Sequence, residues 1–297
     1  MAVIALMMTI STSAQFYIYF SDGTVAKVDS ISMIAPEEPN PGTPDTPAEP
    51  ETPSEGIGVF SVSADKQVTF SKGNLQYHPA NDEWRFAESQ LDYIGNANNN
   101  ISNSYNGWID LFGWSTNSTH FGVSISDKSE DYYGSFIDWG TNMIGNDASN
   151  TWRTLTYSEW FYLFYERAGA DLLCGIAQVN GVNGVILLPD NWTCPNAVTF
   201  KSGFYTRDGK EYYANYQSFT IEQWLTLEKA GAIFLPATGY RRARELYQMQ
   251  EIGCYWSSTE ASKNGALVHY LSIGPAKVDM LKLIPNYGIS VRLVKDL

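Results

Sequence analysis

Histidine and cysteine are scarce in this chain, with three of each in 297 residues. His78, His120 and His269 stand far apart, with no cysteine or carboxylate at ligand spacing, which argues against structural zinc. They also leave a hydrolase without an evident base, and no Gly-x-Ser-x-Gly elbow surrounds any serine. Cys174, Cys194 and Cys254 form an odd set, so at least one thiol is unpaired and the sequence chooses no disulfide. Positive charge is short as well: 19 Lys and Arg stand against 32 Asp and Glu, a net charge of −13. A nucleic-acid partner needs a basic footprint, and none is present. No apolar run is long enough to span a bilayer as a helix.

Aromatic residues, by contrast, make up 14% of the chain, with 9 Trp and 19 Tyr. That composition is typical of a loop-rich, β-heavy extracellular domain. Residues 1–14 carry an apolar run, Ala2–Ile10, followed by Ser-Thr-Ser-Ala, and read as a secretory signal. The charged n-region is missing, which points to a truncated start. Residues 15–34 read as a short β-hairpin prefix: Phe16, Ile18 and Phe20 alternate into the turn Ser21-Asp22-Gly23-Thr24, and Val25, Val28 and Ile31 follow. Residues 35–56 hold seven of the 13 prolines, interleaved with Glu, Asp and Thr. Such a stretch buries too little apolar area to fold and reads as an extended spacer. The globular composition starts at residue 57 and runs to 297.

Within that domain two helices are well signalled. Thr156-Tyr157-Ser158-Glu159 is a capping box, followed by Trp160, Leu163, Phe164 and Arg167 at helical spacing, with Gly169 as a left-handed stop. Thr220-Ile221-Glu222-Gln223 repeats the device, and Gly231 ends that helix. Residues 95–119 are rich in Asn, Ser and Gly and read as a long loop pinned by Trp108, Leu111, Phe112 and Trp114. The chain closes on Tyr287-Gly288-Ile289-Ser290-Val291-Arg292-Leu293-Val294. Its alternation of Ile289, Val291 and Leu293 with Ser290 and Arg292 predicts a strand buried on one face. Val268, Tyr270 and Ser272 alternate in the same way with Leu267, His269, Leu271 and Ile273.

Trp152-Arg153-Thr154-Leu155-Thr156 with Glu159-Trp160 resembles the helix signature of C-type-lectin-fold proteins related to the formylglycine-generating enzymes. The segments Gly184–Trp192, Phe234–Arg241, Tyr255–Thr259 and Gly288–Val294 resemble the Fibrobacter-type major paralogous domain and its Bacteroides relatives. Proteins with this C-terminal pattern include targets of diversity-generating retroelements. The resemblance implies an α+β, C-type-lectin-like fold: antiparallel sheets flanked by two helices, with long loops and the chain ends close together. It implies a ligand surface on the C-terminal sheet, for which Tyr255, Glu260, His269, Tyr270, Ser272, Lys277, Asp279, Asn286 and Tyr287 are the candidates. Tyrosines suit such a surface because they supply large contact area at low entropic cost. Formylglycine-generating enzymes use a close cysteine pair late in the chain. Cys254 stands alone there, so that activity is not carried over.

The expected protein is therefore a non-enzymatic, secreted or surface-displayed adhesion or recognition module. Its expected partner is a protein or a glycan on another surface, not a nucleic acid, and no membrane span is expected. No catalytic residue, resident metal or cofactor is expected. Calcium is the alternative, through Pro189-Asp190-Asn191-Trp192, a partial likeness of the animal-lectin motif. An enzyme of formylglycine-generating or glycosidase type and a structural fimbrial or matrix component are the other classes. A glycosidase would need a carboxylate pair meeting in one cleft.

Overall fold

The computed structural model describes residues 58–204 and 213–297 in full and, before them, only the backbone of two short strands. The chain divides into two units, Met1–Glu51 and Thr52–Leu297. In the first, β1 (Phe16–Tyr19) pairs antiparallel with β2 (Val25–Val28), with Phe16 opposite Val28. The expected signal at 1–14 and the spacer at 35–56 lie outside the described residues.

The second unit is a mixed α+β fold, mostly antiparallel sheet. It opens with β3 (Phe60–Ser61), β4 (Gln67–Phe70), and the hairpin of β5 (Leu75–His78) and β6 (Glu83–Phe86). A long irregular stretch leads to β7 (Arg153–Thr154) and helix α1 (Tyr157–Phe161), whose last turn, Tyr162–Glu166, is π-helical. Next come β8 (Cys174–Val179), β9 (Val182–Leu187), β10 (Ser218–Phe219), α2 (Ile221–Lys229) and β11 (Ile233–Pro236). The C-terminal third holds β12 (Tyr240–Arg242), β13 (Glu245–Tyr247), β14 (Gly253–Glu260), β15 (Val268–Ile273), β16 (Val278–Leu283), β17 (Tyr287–Gly288) and β18 (Leu293–Asp296). Among the described residues no helix is long and apolar enough to cross a membrane.

Both capping boxes form. Thr156 Oγ1 accepts from the Glu159 amide while Glu159 returns to the Thr156 amide, and Thr220 and Gln223 do the same for α2. Each satisfies two amides that a helix start leaves without partners. The first helix stops sooner than its periodicity suggests: Arg167 is extended, and its guanidinium folds back onto the Leu163 carbonyl and Asp190. β18 inserts between β4 and β7, so both ends of this unit meet in one sheet.

β14 and β15 run between two hydrophobic clusters. Tyr255, Leu271 and Ile273 enter one, with Trp160, Leu163 and Phe164 from the α1 region. Cys254, Trp256, Val268 and Tyr270 enter the other, with Trp114, Trp139, Ile289 and Val291. The closing segment departs from its expected one-sided burial. Ser290 and Arg292 are as buried as Ile289, Val291 and Leu293. Some of their polar atoms are met inside: Ser290 Oγ lies 2.9 Å from Thr238 Oγ1, and Arg292 Nη2 donates to Gln90 Oε1 at 2.7 Å, while Arg292 Nε has no partner among the described residues. Burial without a carboxylate partner pulls the Arg292 pKa down to about 10.

Candidate functional site

The sheet β14–β15–β16 carries most of the predicted site residues, and cross-strand register sorts them by face. Trp256, Tyr270 and Leu281 lie in one row, and Cys254, Ser272 and Asp279 in the next. Exposure rises along the first row from 0% at Trp256 through 9% at Tyr270 to 40% at Leu281. This face is therefore interior at β14 and open only at β16.

Several predicted residues turn out to be structural. Tyr255 is fully buried, and its hydroxyl donates to the Pro236 carbonyl at 2.8 Å. It cannot touch a ligand without unfolding. Asn286 is buried too, and its Nδ2 ties the Asp127 carbonyl at 2.6 Å. Tyr270 is nearly covered, and desolvation pushes its phenol up to about 12. His269 lies on the opposite face with its ring 4.3 Å from that of Tyr157, so it packs on α1. Glu260 sits apart, beyond a register shift in β14, beside Tyr133 and Asn264. Lys277 and Asp279 pair with each other at 2.5 Å near the start of β16. Ser272 keeps partial exposure, and Tyr287 belongs to a different sheet.

That other sheet, β13–β12–β17, was not anticipated as a whole. Its register puts Tyr240 opposite Tyr247, and Arg242 opposite both Glu245 and Tyr287. Paired residues point to the same side, so Tyr240, Arg242, Glu245, Tyr247 and Tyr287 share one face. Tyr240 is flanked on both sides: its ring centroid is 5.3 Å from Tyr247 and 5.4 Å from Tyr287. Partial desolvation and then the neighbouring Tyr287 raise the Tyr240 pKa. The Tyr247 hydroxyl donates to Glu245, which raises its pKa. Beside them a cleft of about 520 Å³ is lined by Ile125, Asp127, Arg242, Ala243, Arg244, Glu245 and Tyr247.

The underside of this sheet explains how the face is held. Arg241 points inward and is fully buried, and desolvation lowers its pKa to about 10. Its Nη1 donates to the Ala243 carbonyl at 2.6 Å. Ala243 lies in the β12–β13 turn with φ of +48°, a region costly for a residue with a Cβ. Gly288 leaves the room Arg241 needs, because a Cβ there would sit 2.8 Å from Nε and Nη2. The buried cation thus clamps a strained turn that displays Arg242 and Arg244. The sequence signal for this site is Tyr240-Arg-Arg-Ala-Arg-Glu-Leu-Tyr247, two short alternating tracts around a turn.

Groups suited to chemistry are dispersed or engaged. All three cysteines are free thiols. Burial pushes Cys174 up to about 11 and Cys254 up to about 12, which suppresses the reactive thiolate. The Tyr77 hydroxyl donates to Asp82 at 2.8 Å and lies 3.0 Å from His120 Nε2. Desolvation, then Asp82, raises the Tyr77 pKa, opposite to what a nucleophile requires. Among the described residues no group of three His, Cys, Asp or Glu could hold a metal ion. Asp190, the heart of the calcium look-alike, does not fit that role: Oδ2 accepts from the Ser61 amide and hydroxyl, both at 2.7 Å, and Oδ1 from Arg167. A separate groove of about 900 Å³ is lined by residues that include Phe86, Glu88, Gln90, Asp147, Trp152 and Glu228. Glu228 accepts from Gln90 Nε2 at 2.9 Å, and Asp147 from the Trp152 indole at 2.8 Å.

The described residues thus define an α+β domain, mostly antiparallel sheet, with a tyrosine–arginine face near its C-terminus on which Arg242 and Tyr247 are exposed and Tyr240 and Tyr287 half-buried. No protein-family model, no curated protein and no solved structure matches the chain.

Proposed function

We propose that this chain is a recognition module, secreted or displayed on a cell surface, that grips a protein partner through the outward face of β13–β12–β17. The observation that carries this reading is the placement of Tyr240, Tyr247, Tyr287 and Arg242 on one open sheet face. Tyrosine and arginine are the residues that supply most binding energy at protein interfaces. A protein is favoured over a glycan because Tyr240 has a tyrosine ring within 5.4 Å on either neighbouring strand, which leaves only the end rings, Tyr247 and Tyr287, for a sugar to stack on. A C-type-lectin-like arrangement is part of the proposal. It is supported by the two capped helices and by the meeting of both domain ends in one sheet. A diversified site would show as an imperfect downstream DNA repeat of the codons for about residues 255–292, next to a reverse transcriptase. The main test incubates the full chain with protein arrays and glycan arrays in parallel. Protein binding that the joint Tyr247→Ala and Tyr287→Ala change abolishes is expected; binding to glycans alone would reject the reading.

One observation favours a second reading, glycoside hydrolysis: Glu88, Asp147 and Glu228 line the same groove as Trp152. Release of reducing sugar from a polysaccharide panel, abolished by Glu228→Gln, would establish it.

A further inference from the structure

The tyrosine–arginine face carries positive charge that the described residues leave unanswered. Elsewhere in the domain arginines are engaged. Arg153 pairs with Glu159 and Asp296, and Arg167 with Asp190. Arg85 lies over the Trp108 ring with its Nε on Gln76, and Arg292 is buried. Arg242 and Arg244, by contrast, are exposed around the β12–β13 turn and line one cleft. Arg242 forms no ion pair or hydrogen bond among the described residues, although Glu245 is its cross-strand partner. The Glu245 carboxylate accepts the Tyr247 hydroxyl instead. Arg244 reaches only a carbonyl, that of Asn99, at 3.1 Å. Beneath them Arg241 is fully buried, and its bonds go to the Ala243 and Leu111 carbonyls, not to a carboxylate. A cation buried without a counterion adds its field to the surface above it.

We infer that the cleft beside the tyrosine row takes an acidic segment of the partner protein, whose Asp or Glu carboxylates are held by Arg242 and Arg244. The inference rests on reading the tyrosine face as the binding surface, and it names the partner's chemistry. A guanidinium presents paired N–H donors that match the two oxygens of a carboxylate. Asp127 and Glu245 line the same cleft, and they decide among anions. A phosphate carries about −1.5 to −2 charges, so these carboxylates repel it more strongly than the single charge of Asp or Glu. A neutral or basic segment would cover two guanidinium groups without pairing them, which is costly where the interface excludes water. Ile125, 40% exposed, gives the cleft an apolar wall for the segment's other side chains.

The test probes a random-sequence peptide array with the full chain and remakes the binders as soluble probes. Each is made in its parent form, with Asn and Gln for Asp and Glu, and with phosphoserine for Glu. Asp and Glu should be enriched among the binders, the amide forms should lose binding, and the phosphoserine forms should bind no more tightly than the parents. Arg242→Gln and Arg244→Gln should each weaken the parent probes about tenfold. Lys72→Gln, which removes the same charge in the separate groove, should leave them unchanged. Asp127→Asn should tighten them about two- to fivefold, because it removes an opposing charge. Binders without enrichment in Asp and Glu, tighter phosphoserine forms, or affinity indifferent to both arginine changes would each overturn the inference. So would a chain that elutes as a dimer and becomes monomeric in Arg242→Gln, because the acidic segment then belongs to a second copy. The joint Tyr247→Ala and Tyr287→Ala change separates the two proposals. Protein-array binding lost in the tyrosine variant but intact in the joint Arg242→Gln and Arg244→Gln variant leaves the face standing and removes the acidic segment; the opposite pattern keeps the cleft and removes the tyrosine row.

Discussion

Adding one methyl group at Gly288 should disturb the recognition face from beneath. The new Cβ would lie 2.8 Å from Arg241 Nε and Nη2 and 2.9 Å from Cζ. Gly288 is not among the residues with positive φ, so the backbone itself accepts alanine and the cost comes from contact alone. The guanidinium is fully buried and has no open space to retreat into. Overpacking of this kind costs about 1–3 kcal/mol. Displacing Arg241 also breaks its bond to the Ala243 carbonyl, worth about 1 kcal/mol more. Gly288→Ala should therefore lower stability by about 2–4 kcal/mol in urea unfolding. In an Arg241→Met background the methyl meets a flexible apolar chain, and the same change should cost under about 1 kcal/mol. The cycle should thus show a coupling of at least about 1 kcal/mol between two residues that are paired across β12 and β17. A cost that is additive within about 0.5 kcal/mol, or a Gly288→Ala variant as stable as the parent, would refute the clamp.

Three further outcomes follow from the interior. Tyr255→Phe removes one of two donors to the Pro236 carbonyl, the Thr238 amide remaining, and should cost about 1 kcal/mol while leaving partner binding unchanged; lost binding at unchanged stability would return Tyr255 to the ligand site. A thiol reagent at pH 8 should label one cysteine per folded chain, exposed Cys194, because Cys174 and Cys254 are buried and held protonated; titration with mass spectrometry reads the number. Asp110 is fully buried, and desolvation raises its pKa to about 6 from 3.8. Below pH 3.8 it is neutral in both states and costs nothing. Above about 6 the fold must hold a buried carboxylate, a penalty of about 3 kcal/mol. The stability difference between the parent and Asp110→Asn should therefore shift in favour of the variant as pH rises from 4 to 6, and a flat difference would contradict it.

The parts of this fold that were legible in the sequence are the local ones. Thr156 with Glu159 and Thr220 with Gln223 announce two helix starts because a capping box is complete within four residues. Burial was less legible. Alternation at Ile289–Leu293 suggested one wet face, yet Ser290 and Arg292 enter a polar interior supplied by Thr238 and Gln90, residues far off in sequence. Tyr255 was misjudged for the same reason: its hydroxyl partner, Pro236, sits on another strand. The tail pattern points to Tyr287, half-buried in the structure, but not to its neighbours Tyr240 and Tyr247. Strands of three residues carry barely more than one period, too little to reveal a face.

Hydroxyl-radical footprinting of the full chain, with and without a bound array partner, bears most directly on where this protein makes contact. Protection of Tyr240, Tyr247 and Tyr287, with Phe86 and Trp152 in the separate groove unaffected, is the predicted pattern. Protection confined to Phe86 and Trp152 would move the binding site to that groove and contradict the account.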